Sequence, residues 1–113
     1  MNLPHEAKLL RVFIGEDDKY DGRLLYELIV EKARKEGLAG ATVYRGILGF
    51  GANSRVHTTK VLRLSEDLPV VVEIVDAPEK IEAFLPWLDE VIQEGLVTLE
   101  KATVIAYRHN SNG

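Results

Sequence analysis

The chain has 113 residues, of which 46% are hydrophobic and 28% charged, a composition typical of a globular protein with one core. The absence of cysteine excludes disulfides, zinc–thiolate sites and thiol catalysis, and the net charge of -4 argues against nucleic-acid binding, which needs a dominant positive field. No hydrophobic run approaches the ~20 residues that cross a bilayer, and the first residues lack the apolar stretch of a signal peptide. We therefore expect a single cytoplasmic domain over residues 1–113.

The first half of the chain predicts a strand, a helix and a second strand. Residues 7–16 alternate in the manner of a strand that is buried on one face. After a polar turn, residues 22–37 carry an apolar stripe at helical spacing and end at a glycine, which favours the end of a helix. Residues 40–49 are rich in β-branched side chains and predict the second strand.

The second half predicts a strand, a helix and a last strand. Residues 70–76 form an apolar run that is interrupted by Glu73 and ends in Asp76, which is typical of an interior strand. The second helix begins at Pro78, a residue suited to the first helical turn, and Gly95 closes it. Residues 96–108 predict the fourth strand.

This order, β-α-β-β-α-β, predicts the α+β class: a ferredoxin-like sandwich with a four-stranded antiparallel sheet and two helices on one face. We expect a mobile loop at about 50–60 and a polar tail at 109–113. Because two helices cover only one face of such a sheet, Leu9 and Phe13 of the first strand lie on the open face. An apolar open face favours a homo-oligomer.

Side chains suited to catalysis or metal binding are sparse and scattered. The three histidines have no helical i, i+4 pair, and no serine stands in a Gly-x-Ser-x-Gly elbow. Glu73 is the one carboxylate with apolar sequence neighbours, and a lone carboxylate is more often an ion-pair partner than a general acid. We therefore predict no catalytic residue, no metal site and no enzymatic activity.

The central segment, "GILGFGANSRVHTTK", differs from the rest of the chain. Three glycines fall within six residues, and no acidic residue occurs between Glu36 and Glu66. The same interval contains four cations, Arg45, Arg55, Lys60 and Arg63. Cations beside a glycine-rich backbone favour an anionic ligand such as a phosphate. Two plainer interpretations stay open: strands carry fewer acids than helices, and the glycines belong to a bulge or a hairpin exit.

These residues resemble a known family. The stretch "GLAGATVYRGILGFG", then "HTT" and "LPVVVEIV", resembles the nitrogen-regulatory PII signalling proteins over most of the chain. Tyr44 to Gly51 is similar to the Tyr-Arg-Gly-x-x-Gly-Phe-Gly stretch of the small PII-like bacterial family known as domain of unknown function 190. The resemblance implies a ferredoxin-like trimer whose clefts between subunits bind a nucleotide, the one cofactor it suggests.

Carried over by position, the resemblance assigns a set of ligand-binding residues at the strand ends and the loop base. Arg55 adds a cation on the loop that follows, and Val75 accompanies Glu73 on the third strand. The assigned residues are Thr42, Gly49, Phe50, Gly51, Asn53, Arg55 and Glu73. PII proteins also have a second glycine-rich loop that ends in a phosphate-binding lysine, whereas the corresponding stretch here is "QEGLVTLEKAT".

The sequence therefore predicts a non-catalytic PII-like trimer that senses a small anionic metabolite or nucleotide at clefts between subunits. It would signal through loop 50–60 to a partner such as a membrane transporter or channel. The alternatives are a divalent-metal-tolerance protein of the CutA type, which would use His57, and a structural adaptor without a ligand.

Overall fold

The structure is a computed structural model that describes residues 3–51 and 68–109. Within these ranges the chain forms six strands and two helices. In chain order they are β1 (Glu6–Gly15), β2 (Lys19–Tyr20), β3 (Arg23–Leu24), α1 (Leu25–Lys35), β4 (Thr42–Arg45), β5 (Pro69–Asp76), α2 (Pro78–Val91) and β6 (Leu96–Thr103). Neither of the described helices is long and apolar enough to cross a membrane.

Four strands form one antiparallel sheet in the order β4-β5-β1-β6. β1 lies between β5 and β6, and its Arg11 is opposite Glu73 of β5 and Thr98 of β6. Glu73 is in turn opposite Thr42 of the edge strand β4. Both helices pack against the sheet, so the α+β ferredoxin-like prediction is confirmed.

The core lies between the sheet and the helices. Leu10 and Val12 of β1 and Val72 of β5 are fully buried beneath Ile29 of α1 and Ile81 of α2. This follows from the period of two along each strand and the apolar stripe on each helix. The alternate residues of β1 and β5 point to the opposite face, which the helices leave open and where the side chains are half-buried.

A two-residue hairpin precedes α1 and was not predicted from the sequence. Asp21 and Gly22 connect β2 to β3 with φ angles of 54° and 80°. An Asp-Gly pair with two positive φ angles is typical of a tight hairpin whose twist matches its strands. Because this turn occupies residues that were expected to start the helix, α1 begins at Leu25 rather than at residue 22.

The later elements also differ in extent from their predictions. β4 ends at Arg45 and β6 ends at Thr103, so both are shorter than expected. α2 ends at Val91, before Gly95. Gly95 has a φ of 152°, and a Cβ added to it would lie 2.8 Å from the Phe13 carbonyl oxygen. This glycine therefore serves the entry into β6, where the chain passes close to β1.

Candidate ligand site

A cleft of about 250 Å³ opens at the end of the sheet where β4 begins and β5 ends. One wall is the connection from α1 to β4, the floor is β5, and segments from both ends of the described chain cover the rest. The lining residues are Leu3, Ala39, Gly40, Ala41, Thr42, Glu73, Val75 and Tyr107.

The last residue of β5 and the first turn of α2 fix the wall between α1 and β4. Asp76 is 2% exposed, and its Oδ2 accepts a hydrogen bond from the Ala39 amide at 2.8 Å while its Oδ1 accepts one from the Ala77 amide at 2.6 Å. Lys80 Nζ donates to the Gly37 carbonyl at 2.9 Å. Asp76 therefore joins the end of β5 to this connection and to the start of α2.

The chain after β6 returns across the end of the sheet to reach the cleft. The Val104 amide donates to the His5 carbonyl at 2.7 Å, and the Tyr107 hydroxyl lies 3.4 Å from the Ala39 carbonyl, a long hydrogen bond. The amide and carbonyl groups of Gly40 and Ala41 make no hydrogen bond to another described main-chain group. They are therefore available to a ligand.

Glu73 is the one charged side chain among the lining residues. Its Oε2 accepts a hydrogen bond from Arg11 Nε at 2.9 Å, and Arg11 Nη1 donates to Glu100 Oε2 at 3.0 Å. The Glu73 hydrogen bond is the largest influence that raises the pKa of the Arg11 guanidinium above its ordinary value. The Arg11 guanidinium therefore orients the Glu73 carboxylate, which can accept further hydrogen bonds.

The structure brings Thr42 and Glu73 together but not the other assigned residues. Gly49 and Gly51 follow the opposite end of β4, and Gly49 packs beside Pro69, where an added Cβ would lie 3.1 Å from the Pro69 Cγ. Pro69 is four residues from Glu73 along β5, roughly 13 Å at the rise of a strand. Phe50 is 61% exposed, and Asn53 and Arg55 lie outside the described residues.

The glycines of the central segment have a packing reason. Gly46 and Gly49 both approach Pro69 so closely that an added Cβ would be 3.0 and 3.1 Å from its Cγ, and the Gly46 amide donates to the Pro69 carbonyl at 2.7 Å. Neither glycine has a positive φ. This geometry supports the plainer interpretation of those two glycines, a hairpin exit that allows close contact.

One of the four cations of the acid-free interval lies among the described residues. Arg45 forms an ion pair with Glu16, whereas Arg55, Lys60 and Arg63 lie outside the described residues. The described residues contain no group of three or more His, Asp or Glu side chains that could hold a metal ion, and His57 is not among them.

Sequence reasoning missed most of the cleft wall. Leu3 and Tyr107 are far apart in the sequence, and the stretch that contains Tyr107 has the pattern of a continuous strand although β6 ends before it. The GLAG stretch that precedes Thr42 was the available signal, since glycine and alanine leave main-chain groups accessible.

Solved structures of other proteins have a similar fold. The chain is similar to a putative PII-like signalling protein from Thermus thermophilus, with a TM-score of 0.63 and 17% identity over 93% of this chain and 94% of that one. It is also similar to CPII from Thiomonas intermedia bound to ADP and bicarbonate, with a TM-score of 0.56 and 18% identity over 88% of each chain. At these identities the likeness concerns the fold.

Sequence relatives and a family match extend over nearly the whole chain. A UPF0166 protein of Aquifex aeolicus is 44% identical over 100 residues, which cover 88% of this chain and 94% of that protein. A UPF0166 protein of Methanocaldococcus jannaschii is 43% identical over 95 residues, which cover 83% and 87%. The DUF190 family, described as "Uncharacterized ACR", matches residues 7–104. The chain therefore belongs to the DUF190 family.

Proposed function

We propose that this protein is a non-catalytic, cytoplasmic regulatory protein of the PII-like kind. It binds a nucleotide in clefts between the copies of a homotrimer and passes the signal through residues 50–60 to a partner such as a membrane transporter or channel. The observation that carries the proposal is the cleft beside Thr42 and Glu73, in a chain whose fold resembles that of a protein bound to ADP.

The chemistry of the cleft suits a nucleoside. Val75 and Leu3 offer apolar contact and the ring of Tyr107 offers an aromatic face, while free main-chain groups of Gly40 and Ala41 can pair with the edge of a planar base. The carboxylate of Glu73 accepts hydrogen bonds and so favours ligand groups that donate, such as amines and hydroxyls. The volume of about 250 Å³ is below the ~300–1,000 Å³ of complete small-molecule sites, so it suits a part of a nucleotide.

The phosphates need a different set of residues. Among the lining residues there is no cation, and phosphate recognition depends on Arg, Lys or free amides. Arg55 and Lys60 follow Gly49 in the sequence, and Gly49 lies near Pro69, at the far end of β4 from the cleft. In a cyclic assembly, the loop base of one copy can lie beside the cleft of the next copy. The separation of Gly49 from the cleft within one chain supports a site between copies.

The open face of the sheet supports self-association. Leu9 and Phe13 of β1 lie on it, with Val71 and Val75 of β5 beside them and Leu96 of β6 at its edge. An apolar sheet face that the helices do not cover is a typical subunit interface. The resemblance to PII proteins supports a threefold assembly.

Binding is tested by calorimetry with adenosine, AMP, ADP and ATP. Thr42→Val removes one hydroxyl with little change of volume, and we expect it to weaken adenosine binding about 2- to 12-fold, the effect of one net hydrogen bond of ~0.5–1.5 kcal/mol. Thr103→Val, on exposed β6, is the matched control and should bind as the wild type does. If Thr42→Val and Thr103→Val bound adenosine with equal affinity, the cleft beside Thr42 would not be the adenosine site.

The loop is tested with a pair of ligands. If Arg55 contacts phosphate, Arg55→Ala weakens ADP binding and leaves adenosine binding unchanged. Gly51→Val tests the loop base, because an added Cβ at Gly51 meets no described atom within 4 Å and the fold should tolerate it. Full ADP affinity in both variants would contradict a role of this segment in binding.

The assembly is tested by light scattering after size-exclusion chromatography. We expect a mass three times the 12.6 kDa of one chain at micromolar concentration. Phe13→Glu places a charge on the open face and should produce monomers, because a charge is not readily buried without a partner. A wild-type protein that is only monomeric would refute the proposed interface.

A further inference from the structure

Three charged side chains cross the centre of the open sheet face. Arg11 of β1 donates through Nε to Glu73 Oε2 of β5 at 2.9 Å, and through Nη1 to Glu100 Oε2 of β6 at 3.0 Å. One guanidinium therefore joins three neighbouring strands. The side chains of Arg11, Glu73 and Glu100 are 32%, 27% and 56% exposed, so water still reaches this trio in the single chain.

Glu73 belongs to two environments at once. It lines the cleft, and it is also the partner of Arg11 on the sheet face. Its Oε2 is used by Arg11, whereas its Oε1 makes no hydrogen bond to another described residue. A carboxylate accepts on both oxygens, so a ligand can donate to Oε1 while Arg11 keeps Oε2.

The trio carries one positive and two negative charges in an apolar setting. Leu9 and Phe13 flank Arg11 along β1, and the remaining described residues on this face of the four strands are uncharged. Each copy would thus bring one surplus negative charge into an interface formed by this face. Burying a charge is unfavourable unless hydrogen bonds compensate it.

We propose that Arg11 is a positioning residue that couples ligand binding in the cleft to association of the sheet face. A ligand that donates to Glu73 Oε1 disperses the surplus charge and fixes the carboxylate that Arg11 holds, so the trio is buried more easily. Ligand and neighbouring copy therefore bind with positive cooperativity, and the coupling acts equally in both directions. This inference rests on the proposed function, of which it is the regulatory part.

The test is the oligomer dissociation constant, measured by sedimentation with and without saturating adenosine. In the wild type we expect adenosine to lower this constant by about 5- to 150-fold, the usual range of coupling between sites. Arg34→Met, an exposed arginine on α1, is the matched control and should keep the full effect. Arg11→Met leaves the carboxylates of Glu73 and Glu100 without their cation, so its ligand-free oligomer should be weaker than that of the wild type, and, because nothing then holds Glu73, the ratio of the two constants should approach one. Arg11→Lys should restore part of the effect.

Glu100→Gln supplies a second measurement that does not remove Arg11. It keeps the pair between Arg11 and Glu73 and removes the surplus charge, so the ligand-free oligomer should be tighter than in the wild type and should respond less to adenosine. An unchanged ligand-free constant in this variant, or a full adenosine effect in Arg11→Met, would overturn the coupling and leave the proposed function intact. Absence of binding of adenosine, AMP, ADP and ATP to the wild type would refute the proposed function itself, and the coupling with it.

Discussion

Asp76 is the residue on which the shape of the cleft wall should depend most. Its carboxylate is buried and accepts hydrogen bonds from the amides of Ala39 and Ala77, so it connects β5 to the wall and to the start of α2. Asp76→Asn keeps the size of the side chain but replaces one acceptor oxygen by an amino group. At least one of the two main-chain amides then loses its acceptor and faces a donor.

The expected loss follows from the two hydrogen bonds. A hydrogen bond to a charged group contributes about 1.5–3 kcal/mol, and a buried amide left without a partner costs about 1–3 kcal/mol. We therefore expect Asp76→Asn to lower the free energy of unfolding by about 1.5–3 kcal/mol. This is a large part of the ~5–15 kcal/mol that stabilises a typical domain. With a urea dependence of about 1–3 kcal/mol per molar, the unfolding midpoint should fall by roughly 1 M.

The assay is urea unfolding followed by circular dichroism, with adenosine affinity as a second readout. Asp89→Asn is the matched control, since Asp89 is exposed on the same helix that Asp76 precedes, and it should change stability by less than ~0.5 kcal/mol. Because Asp76 holds Ala39, the variant should also bind adenosine more weakly in its folded state. If Asp76→Asn were as stable as Asp89→Asn, the account of how this wall is held would be wrong.

Two further predictions concern the scaffold. Gly95→Ala should destabilise the protein by about 1–3 kcal/mol in thermal unfolding, because the new Cβ would lie 2.8 Å from the Phe13 carbonyl oxygen at a φ of 152°. The control variant Gly51→Ala should be nearly neutral. Similar melting temperatures of the two variants would contradict the close approach of Gly95 to Phe13. The hydrogen bond from Arg23 holds the pKa of Glu31 below its ordinary value of 4.5, so the stabilisation from this pair is complete above that pH and is lost as the pH falls through the lowered pKa. The difference in stability between the wild type and Glu31→Gln should therefore narrow below pH 4.5, and a difference independent of pH would refute the ion pair's contribution.

The sequence alone determined the fold class and the faces of its main elements. The alternation in residues 7–16 predicts the buried face of β1, and the apolar stripe in residues 22–37 includes Leu25, Ile29 and Ala33, which the structure buries, because strand and helix periods leave few alternatives. The family resemblance assigned Thr42 and Glu73 to one site, and the structure places these two residues opposite each other on β4 and β5. The Asp-Gly hairpin was not predicted, and its second residue, Gly22, lies within the helix that was expected over residues 22–37.

Only the tertiary structure decided which residues share a site. Leu3, Ala39 and Tyr107 meet at one cleft because the chain returns across the end of the sheet, and Arg11 reaches Glu73 because β1 inserts beside β5. Gly49 follows Thr42 closely in the sequence, yet it lies at the opposite end of β4 because a strand separates its ends by ~3.4 Å per residue. Local periodicity fixes which face a side chain occupies, whereas contacts between residues distant in the sequence depend on strand order and register, which no local pattern encodes.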